Sequence, residues 1–150
     1  MRIGIIEDER EALFRRYHRI LNGNFDVFIA LHRNFLGLDP DDERKDFIVA
    51  TDEDKERLKR YGQEAGYYIN LENIEVLQFP KGIECAIERI PSADIYFCDG
   101  LTGSKCFLVA DYCGKDKTYI NSGNPQIMRE AKRQGIKVVD RPLEKILEIK

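Results

Sequence analysis

The chain has 150 residues, which is enough for one domain with a proper hydrophobic core. Hydrophobic residues make up 43% and charged residues 34%, so the composition is that of a globular protein and not of a disordered chain. The formal net charge of −3 argues against a dedicated nucleic-acid-binding surface, because such a surface needs a concentrated basic face.

Hydrophobic runs and cysteine spacing bear on where the protein works. The longest apolar runs are far shorter than a bilayer span, and the first residues predict a strand where a signal peptide would need a long apolar segment. We therefore expect a cytoplasmic protein with no membrane partner. The four cysteines have no C-x-x-C spacing, so we expect buried reduced thiols and no zinc site.

The first third of the chain predicts a strand and then a helix. The apolar run 2–6 ends at the acidic residues Glu7, Asp8 and Glu9, and helical spacing follows from residue 11 until Asn22 and Gly23 stop it. Residues 25–31 fit either a strand or the start of a buried helix. Thr51, with Asp54 three residues later, predicts the N-terminus of a charged helix that stops near Gly66.

The second half of the chain alternates between the two periodicities. It predicts strands at 74–79, 93–99, 118–121 and 136–140, and helices at 83–90, 105–113, from Pro125 to Gly135, and from Leu143. Alternating strands and helices are typical of a parallel sheet covered on both faces. The sequence therefore predicts an α/β fold.

Acidic or polar residues follow four of the predicted strands. They are Glu7 with Asp8, Asp99, Ser122, and Asp140 with Arg141. Parallel strands bring their carboxyl ends to one edge of the sheet, which is where α/β folds bind ligands. Asp99 stands out because it ends the apolar run 93–98 and is followed by Gly100, which lets the chain turn sharply.

Taken together, these strands and the polar residues that follow them resemble the receiver domain of two-component response regulators. The opening Arg2-Ile3-Gly4-Ile5-Ile6-Glu7-Asp8-Glu9, the strand ending at Asp99, Ser122-Gly123 and Val138-Val139-Asp140-Arg141-Pro142 carry the resemblance. It implies a flavodoxin-like doubly wound five-stranded parallel sheet in the order 2-1-3-4-5. The resemblance covers residues 1–24 and 73–150. Residues of about 25–72 are then an inserted subdomain, between the first helix and second strand of a single receiver-like domain.

The resemblance also implies roles for individual residues. Asp99 is the expected phosphoryl acceptor, Ser122 is expected to donate a hydrogen bond to a phosphoryl oxygen, and Arg141 is expected to pair with another oxygen. The expected Mg²⁺ ligands are Glu7, Asp8, Asp99 and the backbone carbonyl of Leu101. Such a site performs at most a self-catalysed aspartyl phosphotransfer.

The function implied is that of an atypical receiver in a phosphorelay. Its partners are then a histidine kinase or phosphotransfer protein, and an unknown downstream protein. We expect no output domain after residue 150, and therefore expect signalling through protein–protein contact, with neither nucleic acid nor membrane as a partner.

Two other functions are compatible with the same residues. Receivers carry lysine where this chain has Arg141, and a guanidinium fork clamped on Asp99 would make the protein a phosphorylation-independent pseudo-receiver, a binding module. Asp99-Gly100 alone also suggests a small Mg²⁺-dependent hydrolase of the haloacid dehalogenase kind, although Leu101 stands where such enzymes place a second acid. Ser122 alternatively caps the helix that begins at Pro125.

Overall fold

The computed structural model describes residues 1–33, 36 and 40–148. Within these residues the strands are β1 (Arg2–Glu7), β2 (Asp26–His32), β3 (Ile48–Val49), β4 (Glu75–Phe79), β5 (Ile95–Asp99), β6 (Thr118–Asn121) and β7 (Lys137–Val138). The α-helices are α1 (Arg10–Leu21), α2 (Asp52–Glu64), α3 (Gly103–Cys113), α4 (Pro125–Arg133) and α5 (Leu143–Glu148).

The strands form one sheet in the order β3-β4-β2-β1-β5-β6-β7. Every neighbouring pair is parallel except β3 with β4, which is antiparallel. The predicted α/β fold with a mostly parallel sheet is therefore confirmed. The predicted five-stranded sheet in the order 2-1-3-4-5 is wrong, because the sheet has seven strands in the described part of the chain.

The described residues within 25–72 contribute the strands β2 and β3 to the sheet itself and do not form a separate subdomain beside it. Their strand β2 pairs with β1 along its whole length, from Arg2 opposite Asp26 to Glu7 opposite Leu31. The strand predicted to neighbour β1, now β4, lies one place further out. The reason is that Val27 and the next five residues are all buried, and only a strand inside a sheet covered on both faces satisfies such a run.

The predicted helix at 83–90 is also wrong. The segment forms two short 3₁₀ turns, Ile83–Cys85 and Ile87–Arg89, and the backbone of Ala86 between them leaves helical geometry with φ −149° and ψ 44°. Ile83, Ala86 and Ile90 are nevertheless buried, so the spacing marked a buried face correctly. By contrast, the predicted helix start at Thr51 is confirmed, with a reciprocal capping box to Asp54.

Each face of the sheet has its own hydrophobic core, and the helices after β1 and β5 lie on opposite faces. Leu13 and Phe14 of α1 join the core on one face, whereas Cys106 and Val109 of α3 join the core on the other. Chains that leave two adjacent parallel strands toward opposite faces open a crevice between the strand ends. The crevice of this sheet therefore lies at the carboxyl ends of β1 and β5.

Candidate functional site

Two carboxylates lie side by side in this crevice. Glu7 ends β1, Asp99 ends β5, and the two residues are directly paired in the register of the strands. Both are only 1% exposed, because β1 and β5 are interior strands of the sheet. Burying two neighbouring acids is costly unless they are hydrogen-bonded, paired with a cation or left uncharged, so their partners decide what the site can do.

The Asp99 side chain is held by three groups from two other elements. The guanidinium of Arg16 pairs with Oδ1, and the hydroxyl of Tyr17 donates to Oδ2 at 3.0 Å. The amide of Asn121, at the end of β6, also donates to Oδ2, at 3.1 Å. Both Asp99 oxygens are thus engaged, and a cation faces them. Helix α1 supplies two of the three partners, so this cluster fastens α1 to the centre of the sheet.

Glu7 differs from Asp99 because no cation pairs with it among the described residues. Its Oε1 accepts hydrogen bonds from the backbone N–H groups of Asp8 and Glu9, at 3.2 and 3.3 Å, while Oε2 is buried without a hydrogen-bond partner in the same set. Burial first, and then the neighbouring Asp99 carboxylate, raise the pKa of Glu7 to about 9. Glu7 is therefore uncharged at neutral pH.

Gly100 leaves room for the acids that surround it. Its φ is +77°, in the left-handed region that favours glycine, and a Cβ atom there would collide with Oδ1 of Asp8 and lie 3.1 Å from Oε1 of Glu7. Burial raises the pKa of Asp8 as well. The glycine that marked the end of the strand in the sequence thus also allows the chain to pass close to these carboxyl groups.

The expected Mg²⁺ ligands are only partly brought together. Glu7, Asp8 and Asp99 lie at the same strand ends, and the buried Oε2 of Glu7 is a candidate ligand atom. However, both Asp99 oxygens already have partners, and no cluster of three His, Cys, Asp or Glu side chains suited to a metal occurs among the described residues. As arranged, these residues do not fit Mg²⁺. The side chain of Leu101, whose carbonyl was the fourth expected ligand, packs in the core.

Ser122 takes part in a turn, and its hydroxyl is not among the three groups that hold Asp99. Its hydroxyl oxygen accepts a hydrogen bond from the backbone N–H of Asn124 at 3.1 Å, and the Asn124 side chain in turn caps α4 through the backbone N–H of Gln126 at 2.9 Å. The neighbouring residue, Asn121, is the one that reaches Asp99. The sequence therefore correctly predicted a polar residue at the end of β6, but the residue that contacts Asp99 is Asn121, one position before Ser122.

Arg141 does not clamp Asp99. It follows β7, two strands from β5, and no ion pair joins it to Asp99 in the described part of the chain. The guanidinium that pairs with Asp99 comes from Arg16 instead. One feature of the sequence points to this residue: Arg16 directly precedes Tyr17, which lies on the apolar face of the helix after the first acidic strand end.

Comparison of the chain with protein-family models, with curated proteins and with solved structures found no match. In the part of the chain that the structure describes, no helix combines the length and apolar character needed to cross a membrane. The function must therefore be inferred from the site itself.

Proposed function

We propose that this protein is a receiver-like binding module that works without phosphorylation and signals through protein–protein contact. The observation that carries the proposal is the state of the Asp99 side chain, which is 1% exposed and engaged by Arg16, Tyr17 and Asn121. A carboxylate that already has a cation and two hydrogen-bond donors serves to hold elements together.

The arrangement of strands supports the receiver-like part of the proposal. Five of the seven strands, β2-β1-β5-β6-β7, follow the order second, first, third, fourth and fifth along the chain, and β4 and β3 extend this set beyond β2. Glu7 and Asp99 then occupy the strand ends at the switch point, where the resemblance places an acidic residue and the acceptor. The additional strands form the edge of the sheet that a plain receiver lacks.

Burial supports the phosphorylation-independent part. A phosphoryl donor must approach a carboxylate oxygen in line, with the reacting atoms in contact, and both oxygens of Asp99 are covered. A phosphoryl group on Asp99 would also bring further negative charge to a site where Glu7 already remains protonated because of burial and the Asp99 charge. The Arg16–Asp99 pair would then keep α1 in one position, so the surface offered to a partner would stay constant.

Treatment with a small phosphodonor tests this proposal. The protein is incubated with acetyl phosphate and Mg²⁺, and its intact mass is measured beside that of Asp99→Asn, which keeps the shape of the side chain but cannot accept a phosphoryl group. We expect no mass gain in either protein. A gain of one phosphoryl group that is absent from Asp99→Asn would contradict the proposal.

A second candidate is Mg²⁺-dependent phosphoryl acceptance on Asp99 from a histidine kinase or phosphotransfer protein. The observation that favours it is the pairing of Glu7 with Asp99, with Oε2 of Glu7 unpartnered among the described residues. It requires Arg16 to release Asp99 and Glu7 to lose its proton. In the same assay, a mass gain in Arg16→Ala that is absent from the unmodified protein would show that Arg16 is what closes the site. The hydrolase function gains no support, because Leu101 is 4% exposed and occupies the position of a second acid.

A further inference from the structure

A second concave site lies at one end of the sheet, around its edge strand β7. It is an open cavity of about 520 Å³ between the end of α4 and the chain that follows β7. Ile136 and Val138 give it an apolar wall, and both side chains are largely buried. Three cations from three segments line it as well: Lys132, Lys137 and Arg141.

These cations are not neutralised by the protein. Lys132 and Arg141 make no ion pair with any residue that the structure describes, and the Lys137 ammonium lies 5.3 Å from the centroid of the Tyr119 ring. Asp140 is the one acidic residue that lines the cavity. In contrast, Arg15 and Arg19 on α1 each face a carboxylate of the chain. The cavity therefore presents a local excess of positive charge.

The sequence shows the same asymmetry on a larger scale. Residues 114–150, which contain β6, α4 and β7, have nine Lys or Arg and five Asp or Glu. Residues 1–113 have fifteen Lys or Arg and twenty-two Asp or Glu. The last quarter of the chain thus has a net charge of +4 within a protein of net charge −3. A field of this sign around a concave site attracts anions and raises their local concentration.

We propose that this cavity binds a small organic phosphate. Its volume lies within the range of about 300–1,000 Å³ that is usual for small-molecule sites. The phosphate group would lie between Lys132 and Arg141, since a guanidinium fork and an ammonium group both suit phosphate oxygens. The Tyr119 ring, which is half-buried and also lines the cavity, would contact the organic part of the ligand beside Ile136 and Val138.

Two other anionic partners fit this surface less well. A nucleic acid needs a basic track that continues along its backbone, and the rest of this chain is acidic. An added peptide strand needs a long free edge, but β7 has two residues and Pro142 follows closely, features that protect an edge from pairing. The site is also two strands away from Asp99, so the inference does not depend on the proposed function.

Calorimetric titration of the full chain tests the inference with four probes: adenosine diphosphate, glucose 6-phosphate, inorganic phosphate and a ten-nucleotide RNA. The test variant is Lys132→Gln with Arg141→Gln. The control is Arg129→Gln with Lys145→Gln, which removes the same two charges from positions that do not line the cavity. We expect at least one organic phosphate to bind, with affinity about tenfold or more lower in the test variant and within about twofold in the control, since hydrogen bonds to charged groups have that strength.

Each other result would overturn the inference. Equal losses in the two double variants would mean general electrostatic attraction. Inorganic phosphate that binds as tightly as both organic phosphates would mean an adventitious ion only. RNA that binds more tightly than either would mean an extended basic surface. No binding of either organic phosphate at millimolar concentration would leave the cavity without this function. Circular dichroism spectra of both variants establish that each is folded.

Discussion

The centre of the sheet and its end at β7 differ in how charged side chains are placed. Between β1 and β5, Asp99 is buried and has three partners from its own chain. Two strands away, Lys132 and Arg141 are exposed and have no ion-pair partner among the described residues. The same sheet therefore carries a closed cluster at its centre and an open cavity at its end.

Desolvation explains the difference. A charge that leaves water must find compensation inside the protein, so a buried acid such as Asp99 remains only where the fold supplies a cation and donors. An exposed lysine or arginine keeps its hydration and needs no partner for the protein to fold, so it stays free to meet a ligand. Burial, and not residue type, thus separates structural charges from available ones in this molecule.

Replacing Arg16 should have the largest effect on stability. In Arg16→Ala the Asp99 carboxylate stays buried without its cation, and we expect the free energy of unfolding to fall by about 2–4 kcal/mol. Arg15→Ala is the matched control on the same helix, because its partner Glu11 is exposed and such pairs contribute less than about 1 kcal/mol. Urea unfolding of both variants measures the difference. Equal losses would show that Asp99 is not held by Arg16.

The substitution Gly100→Ala should cause the next largest loss of stability. Gly100→Ala places a Cβ atom against Asp8, whereas Gly135→Ala puts one where nothing described lies within 4 Å, although φ is nearly the same, +77° and +78°. The left-handed conformation costs alanine about 1–2 kcal/mol at either position. We expect Gly100→Ala to lose about 1 kcal/mol more than Gly135→Ala, because overpacking adds to the strain. Thermal unfolding compares them, and a smaller loss at Gly100 would contradict the packing described.

The protonation of Glu7 gives the site a dependence on pH. Its pKa in the folded protein, about 9, is above its ordinary value of 4.5, so the favourable contribution of Glu7 is complete below pH 4.5 and is lost as the pH rises toward 9. Glu7→Gln keeps an uncharged side chain of similar shape. Relative to the unmodified protein, it should gain at least about 1.4 kcal/mol between pH 5 and 9, which is the equivalent of one pKa unit.

Urea midpoints measured across that range test the prediction for Glu7. The control is Glu11→Gln, which removes an exposed carboxylate and should change stability by the same amount at every pH from 5 to 9. Parallel curves for Glu7→Gln and the unmodified protein would mean that Glu7 is ionised in the fold, as a metal ligand needs to be.

The cations that line the open cavity should contribute least to stability. Changing Lys132 and Arg141 to glutamine removes no ion pair from the described structure, and surface substitutions of this kind usually alter the free energy of unfolding by less than about 0.5 kcal/mol. Thermal unfolding of the double variant without ligand checks this value. A loss comparable with that of Arg16→Ala would show that these cations are structural too, and the contrast between the central cluster and the cavity would disappear.

Local signals in the sequence were enough to predict most elements and the position of the acids. The apolar run before Asp99 predicted β5, and Thr51 with Asp54 predicted the start of α2, because both depend on residues close in the chain. Parallel strands then brought Glu7 and Asp99 to the same edge. The helix expected around Ala86 failed because a buried apolar face at helical spacing can also be formed by two 3₁₀ turns.

Long-range packing decided what local signals did not. The strand β2 pairs with β1 because it is buried on both faces of the sheet. The apolar run 25–31 fits a strand or a buried helix, so the sequence alone does not establish this pairing. The partners of Asp99 are more than 20 residues away from it in the chain, and their contact depends on how α1 crosses the end of β5. A basic residue on a mostly exposed helical face gave little warning that it closes the central site.

A double-mutant cycle between Arg16 and Asp99 tests the central claim most directly. The free energies of unfolding of Arg16→Ala, Asp99→Asn, the double variant and the unmodified protein give the coupling between the two side chains. If Asp99 is a structural carboxylate held by Arg16, the coupling is about 2 kcal/mol or more, as for contacting charges in one network. A coupling near zero would mean that Asp99 is free for other chemistry, and the account of a closed site would be wrong.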